Sequence, residues 1–351
     1  MKNQQRSRAA GLLVPLLALM LQVSAFAAPV AYVTNEKGGV SVIDLDTLTV
    51  QKEIPTGGQG PRGLAITKDG DYLLTANKTS NDVSVIDTKT GQVARRIPVG
   101  KNVEFVRIFG DLAYVTYEPG ESGGPPGKAE EQKKDKDDDA KPAEIAVIDL
   151  KSWKVVKSIK SGLETEGIEF SPDGKYLLVT NEGDNTISVY DRLSGDLVKS
   201  IKTAAYGNRP RGIKRTPDGK GYVVTLEFSD KLLQIDANFD PVKTFPTKQG
   251  PYGVAFDPEG KRLFIAAGKA GVLQVLDART YGEIAEVALG KRCWHFSFTP
   301  DASKLLVACG RSDAVYVVDA TKYDVVKTLS GAKTPWGIVT YPKSTGSIDM
   351  P

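Results

Sequence analysis

The sequence predicts an all-β fold: a seven-bladed β-propeller, four antiparallel strands per blade, closed by its own C-terminal strand. Three observations carry this. First, a Val-Ile-Asp-like strand ends at Asp44, Asp87, Asp149, Asp191, Asp236, Asp277 and Asp319, at intervals of 43, 62, 42, 45, 41 and 42 residues. Second, the residue after a Pro-like turn, where each repeat enters its first strand, is Arg62, Glu104, Glu166, Arg211, Tyr252, Trp294 and Trp336, at intervals of 42, 62, 45, 41, 42 and 42. Such periods mark propellers and solenoids. Third, the chain opens on a second strand (31–35) and closes on a lone first strand (336–341). Joined, these complete one blade and leave no open edge, which a linear solenoid does not need.

Residues 1–27 read as a cleaved secretory signal. Lys2, Arg6 and Arg8 precede an apolar run, and Ala25-Phe26-Ala27 fits the small-x-small cleavage pattern, giving Ala28 as the mature N-terminus. No Cys lies near the site and the n-region holds Arg6-Ser7-Arg8 rather than paired arginines, so the segment predicts general export to the periplasm. No stable membrane insertion is expected once it is removed. The whole chain holds 46 Lys+Arg against 43 Asp+Glu, and the signal accounts for the entire excess. A neutral mature chain is a poor general nucleic-acid ligand, so no nucleic acid is expected.

Residues 28–342 form the repeat region. Its 35 Gly and 20 Pro without a collagen period call for many turns and short strands. Strands A and B of each unit are joined by turns such as Ser171-Pro172-Asp173-Gly174, in which Pro presets φ and Gly suits the last position. Leu177-Leu178-Val179 reads as a strand buried on both faces. The seven Asp residues that end strand C look catalytic one at a time. Their sevenfold recurrence makes them structural, bonding backbone in the following turn.

The interval of 62 marks an insertion in the third repeat at 118–143. It has no aromatic or β-branched residue with which to bury itself and is expected as a disordered loop. Residues 343–351 are expected as a tail. The product is expected to be a monomer.

Strand direction puts the seven entry residues around one mouth of the central channel, with the ends of the B strands (Asn35, Asn77, Tyr117, Asn181, Leu226, Ala267 and Cys309) on the same face. Arg62, Glu104, Glu166, Arg211, Tyr252, Trp294 and Trp336 thus make a polar and aromatic ring. One reading pairs Arg with Glu between blades to rigidify the mouth. The other is a ligand pocket in which Arg62 and Arg211 grip an anionic group.

Gly normally follows the entry residue, and the exceptions are Phe105 and His295, the only histidine. Cys293 and Cys309 lie equally far from the centre of one A–B hairpin and should face each other at the mouth. Three readings stand for them: a disulfide, suited to an oxidising periplasm; metal or haem ligation by Cys293, His295 and Cys309; or two thiols beside a packed imidazole. No cofactor is required by any motif, and no nucleophile motif accompanies His295.

Tyr32-Val33-Thr34-Asn35, Ser41-Val42-Ile43-Asp44, Gly60-Pro61-Arg62-Gly63 and Pro335-Trp336-Gly337 resemble the YVTN-repeat β-propeller family. The resemblance runs over 31–341. The stretch 290–301, with Lys291-Arg292-Cys293-Trp294 and Pro300-Asp301, looks like the subgroup found beside pyrroloquinoline-quinone-dependent alcohol oxidation. That resemblance implies an exported accessory protein with no chemistry of its own. The chain is also similar to the haem-binding propellers of dissimilatory nitrite reductase and its biosynthetic relatives, which implies histidines at the mouth. Only His295 is available for that role. Propeller lactonases imply an acidic and Asn cluster, which Glu104, Glu166 and Asn181 approximate. The expectation is a non-enzymatic periplasmic propeller that binds a partner protein or small ligand at the mouth. Haem or metal binding and lactonase activity are the alternatives.

Overall fold

The computed structural model describes residues 28–118 and 141–349. The expected signal (1–27) and residues 119–140 of the expected insertion loop lie outside the described residues. Seven four-stranded antiparallel units form a ring, with neighbours in the order A-B-C-D in every blade. Blade 1 closes the ring as expected: Pro335–Tyr341 pairs with Val30–Asn35, Val33 facing Ile338 and Tyr32 facing Val339. This closure ties the two ends of the repeat region into one sheet and leaves no blade unsealed.

Burial follows strand rank. Strand B of blade 4, Tyr176–Asn181, is buried at every position after the first, whereas strand D of the same blade, Leu197–Lys202, is mostly exposed. That is why B strands read as continuous apolar runs and this D strand carries Lys199 and Lys202. Each strand-C Asp accepts a backbone N–H in the next turn, at 2.7–2.9 Å, from Asp44 with Thr47 through Asp319 with Lys322. The seven aspartates are turn-formers, as their recurrence predicted.

Blade-to-blade contact explains the Gly after the entry residue. A Cβ at Gly63, Gly167, Gly212, Gly253 or Gly337 would lie 2.4–2.8 Å from the entry-residue carbonyl of the next blade. Only Gly lets these A strands approach so closely. The Thr of strand B stitches the same junction: Thr34, Thr180 and Thr225 donate to the carbonyls of Arg62, Arg211 and Tyr252. Phe105 and His295 break the glycine rule, and their rings instead meet each other, with centroids 5.5 Å apart.

The C-terminal residues differ from the expected tail. Thr345–Gly346 adds a fifth strand to blade 7, pairing Ser297 with Gly346 and Phe298 with Thr345 on the inner edge of strand A. Ser347 and Ile348 stand within 3.2 Å of where Cβ atoms on Gly253 and Gly337 would be, so the segment lies inside the ring. Ile348 is buried among Phe105, Tyr252, Trp294 and Trp336. The Asp349 carboxylate accepts from Ser297 Oγ at 3.0 Å, and its carbonyl accepts from Lys214 Nζ. Residues 345–349 thus lie in the central channel. Polar residues of strands A line its lower part: Arg107 and Glu169 stand 3.7 Å apart beside Lys214. The sequence pattern missed this because residues 343–349 belong to no repeat.

Candidate site at the channel mouth

Each entry residue starts strand A, the innermost strand, so its side chain faces the channel axis. Four of the seven, Arg62, Glu104, Glu166 and Arg211, take part in two ion-pair clusters. Arg62 reaches Glu104 of the next blade at 2.6 Å and Glu36 at 2.8 Å. Glu104 also receives Lys78 at 2.8 Å. Arg211, 4% exposed, is held by Glu166 at 2.6 Å, Glu182 at 2.6 Å and Glu227 at 2.7 Å, and lies over the Tyr252 ring at 4.7 Å. The expected Arg–Glu pairing between blades is present. The expected grip of Arg62 and Arg211 on an anion is not favoured, because each guanidinium is already engaged by two or three carboxylates.

Glu36, Lys78, Glu182 and Glu227 were not foreseen. They occupy one repeat position, the residue after the end of strand B, which reads Glu36, Lys78, Glu118, Glu182, Glu227, Gly268 and Gly310 around the ring. Extending the B-strand register by one residue would have found them. The two glycines have their own reason. A Cβ on Gly310 would meet Trp294 Cζ3 at 1.8 Å, so the indole takes the space a side chain would fill.

The two rings together carry six carboxylates against three cations. Arg209 and Arg292 join from the rim, onto Glu182 at 2.7 Å and Glu227 at 3.2 Å. Burial opposes ionisation of Glu104 and Glu227, yet Arg62 and Lys78 on one, and Arg211 on the other, hold both below the ordinary value. Burial wins at Glu182 and Glu166, which are raised in spite of Arg211. Glu118 is pushed up to about 8 by burial and by Glu104, Glu166 and Glu164.

Cys293 and Cys309 face each other in the register and are joined by a disulfide. Of the three readings for this pair, the structure has the disulfide, and a bonded pair offers no thiolate to a metal. The alternative ligand set Cys293, His295 and Cys309 is therefore dismantled. Among the described residues no group of three His, Cys, Asp or Glu side chains is placed to hold a metal ion. His295, 2% exposed, bonds Ser347 Oγ through Nδ1 at 3.0 Å and leaves Nε2 without a partner. Burial, then Lys214, Arg211 and Arg107, hold the imidazole well below its ordinary pKa, so it is neutral. Phe105, Tyr252 and Trp336 surround it with centroids 4.4–5.5 Å away. An axial haem ligand needs open space at Nε2, and that atom of His295 is buried, so His295 as placed does not fit that role. Of the residues that approximate a lactonase set, Glu104 and Glu166 are engaged in the ion pairs above. Asn181 spends its amide within its own blade, on Ser161, Thr165, Thr186 and Ser188.

Residues 140–293 match the family described as the cytochrome D1 heme domain, and residues 40–105 match the seven-bladed β-propeller lactonases. A seven-bladed β-propeller protein of Mycobacterium tuberculosis, Rv1057, is 27% identical over 42% of this chain, a match spanning 33% of that protein. Among solved structures, a functionally unknown protein from Desulfotomaculum acetoxidans superposes with a TM-score of 0.74 at 16% identity, covering 89% of this chain and 98% of that one. The periplasmic gluconolactonase PpgL of Pseudomonas aeruginosa gives 0.69 at 16% identity, with 89% and 99% covered. The dihydro-heme d1 dehydrogenase NirN gives 0.63 at 16% identity, with 88% and 74% covered. At such identities the likeness is one of fold. The chain is a seven-bladed β-propeller, similar in different stretches to the haem domain of cytochrome d1 and to the seven-bladed lactonases.

Proposed function

We propose that this protein is an exported, non-catalytic propeller that binds a small ligand or a partner protein at the channel mouth. The observation that carries the reading is the state of the mouth. Its buried Arg, Lys and most of its Glu side chains are locked in ion pairs, and the channel beneath holds residues 345–349. Such a site can recognise charge and shape, but it aligns no nucleophile with a base. Export is supported by the Cys293–Cys309 disulfide, which suits an oxidising compartment. The YVTN-type motifs and the 290–301 stretch suggest an accessory role beside periplasmic quinoprotein oxidation.

The test is native mass spectrometry of protein purified gently from periplasm, together with hydrolysis of gluconolactone. The expected result is a bound small molecule or partner, lost in Glu182→Gln, and no hydrolysis above the spontaneous rate. Hydrolysis that disappears in Glu166→Gln would replace this reading with the lactonase one.

A further inference from the structure

We propose that the mouth takes its ligand through a primary ammonium group, held between the carboxylate of Glu118 and the side-chain oxygen of Asn102. This rests on the mouth being the binding site and names the chemistry it accepts. The argument begins with charge. The two rings hold six carboxylates, and their three cations are committed: Arg62 and Lys78 to Glu104 and Glu36, Arg211 to Glu166, Glu182 and Glu227. Arg209 at the rim is committed to Glu182 and Glu164. Glu118 is the one ring carboxylate with no ion pair among the described residues. Its carboxylate accepts a single bond, from Asn102 Nδ2 at 2.7 Å, and its side chain is partly open to solvent.

The second observation is independent of charge. Asn102 is 5% exposed and its backbone N–H is tied to Asn81 Oδ1 at 3.1 Å. Its amide therefore holds Glu118 from a fixed position, yet its own oxygen is buried without a donor among the described residues. A buried acceptor left unpaired is costly, and native proteins nearly always satisfy one. Glu118 and Asn102, joined by one hydrogen bond, thus offer a carboxyl group with no counter-ion among the described residues and an amide oxygen with no donor. An anion would add to the repulsion there. An ammonium brings one positive charge and three N–H donors to exactly the two kinds of atom that lack them. A coordinated metal ion fits less well, since among the described residues no group of three His, Cys, Asp or Glu side chains is placed to hold one.

The state of Glu118 gives the proposal a signature. Burial and the facing carboxylates Glu104, Glu166 and Glu164 keep it largely protonated at neutral pH, with a pKa of about 8. An ammonium can only be bound by the ionised form, so binding near pH 7 should expel a proton.

The experiment titrates full-length mature protein with n-butylammonium, with butanoate as the anionic match and with tetramethylammonium as a cation lacking N–H donors. Calorimetry in two buffers of different ionisation enthalpy counts the protons. Expected are one butylammonium bound, release of a proton at pH 7, at least tenfold weakening in Glu118→Gln, and several-fold weakening in Asn102→Ala. Tetramethylammonium should bind at least tenfold more weakly. Should Glu118→Gln fail to fold, the wild-type affinity must still rise with pH up to about 8. Equal binding of butanoate, or butylammonium binding unchanged in both variants, would overturn the ammonium assignment. If butylammonium does not bind while a mouth-dependent adduct from periplasm persists, the ammonium assignment falls and the mouth remains the binding site. If neither is seen, both fall.

Discussion

Arg211 gives the sharpest test of how the mouth is held together. Replacing it with Met keeps much of the side-chain volume and removes the cation shared by Glu166, Glu182 and Glu227, all within 2.7 Å of it. The three carboxyls then share a buried pocket without a counter-charge. Removing one partner of a buried ion pair is expected to cost about 3–5 kcal/mol, since the remaining charge is uncompensated. The alternative is for a carboxyl to take up a proton. For Glu227, now held below its ordinary value of 4.5, that costs about 3 kcal/mol at pH 7 and less than about 1 kcal/mol at pH 5. The sign follows. In the variant the carboxyls titrate above their unfolded value, so its stability is lost as pH rises through and beyond 4.5. The gap to wild type should be about 3–5 kcal/mol at pH 7.5 and close most of the way by pH 5. Urea unfolding of both proteins at the two pH values measures it. A gap under about 1 kcal/mol at pH 7.5, or one that widens on acidification, would refute the reasoning.

Other outcomes follow from close contacts and burial. Gly310→Ala places a Cβ into the Trp294 ring and should lose about 1–3 kcal/mol or more by overpacking, whereas Gly282→Ala, with only Thr280 Oγ1 at 3.3 Å, should be near neutral in the same melting assay. Ile348→Ala should cost about 2–5 kcal/mol if the channel segment stays seated. Limited carboxypeptidase digestion shows whether it does, and digestion no faster than in wild type combined with unchanged stability would contradict the seating of this segment. Glu118→Gln should gain stability relative to wild type as pH rises from about 4.5 to about 8, because the raised carboxyl is unfavourable to the fold only when ionised. Parallel melting curves of the two proteins across that range would contradict the burial of this group.

Much of the scaffold could be read from residues alone because a propeller repeats one local solution seven times. The turn aspartates, the glycine after the entry residue and the split first blade each recur or complement at fixed spacing. The disulfide partners could be placed opposite one another, but spacing could not choose between a bond, a metal and free thiols. The spacing grouped the entry residues, but it did not supply the partners of their charges. Glu36, Lys78, Glu182 and Glu227 follow the ends of B strands, and only the packed ring sets them against the Arg and Glu side chains that start strands A. Their presence turns Arg62 and Arg211 from anion grips into counter-ions.

The C-terminal segment marks the boundary between the two kinds of knowledge. Sequence by itself determined the fold class, the number of blades, the way the ring closes and the face on which the irregular residues gather, because these follow from hydrophobic period, turn residues and strand count. Tertiary structure alone decided that Thr345–Gly346 pairs with Ser297 and Phe298, that Ile348 and Asp349 lie in the channel, and that Glu118 has no counter-ion among the described residues. No local pattern encodes these outcomes. They depend on which atoms from blades far apart in the chain are brought within a few ångströms of one axis, and on which charges are already satisfied when they arrive.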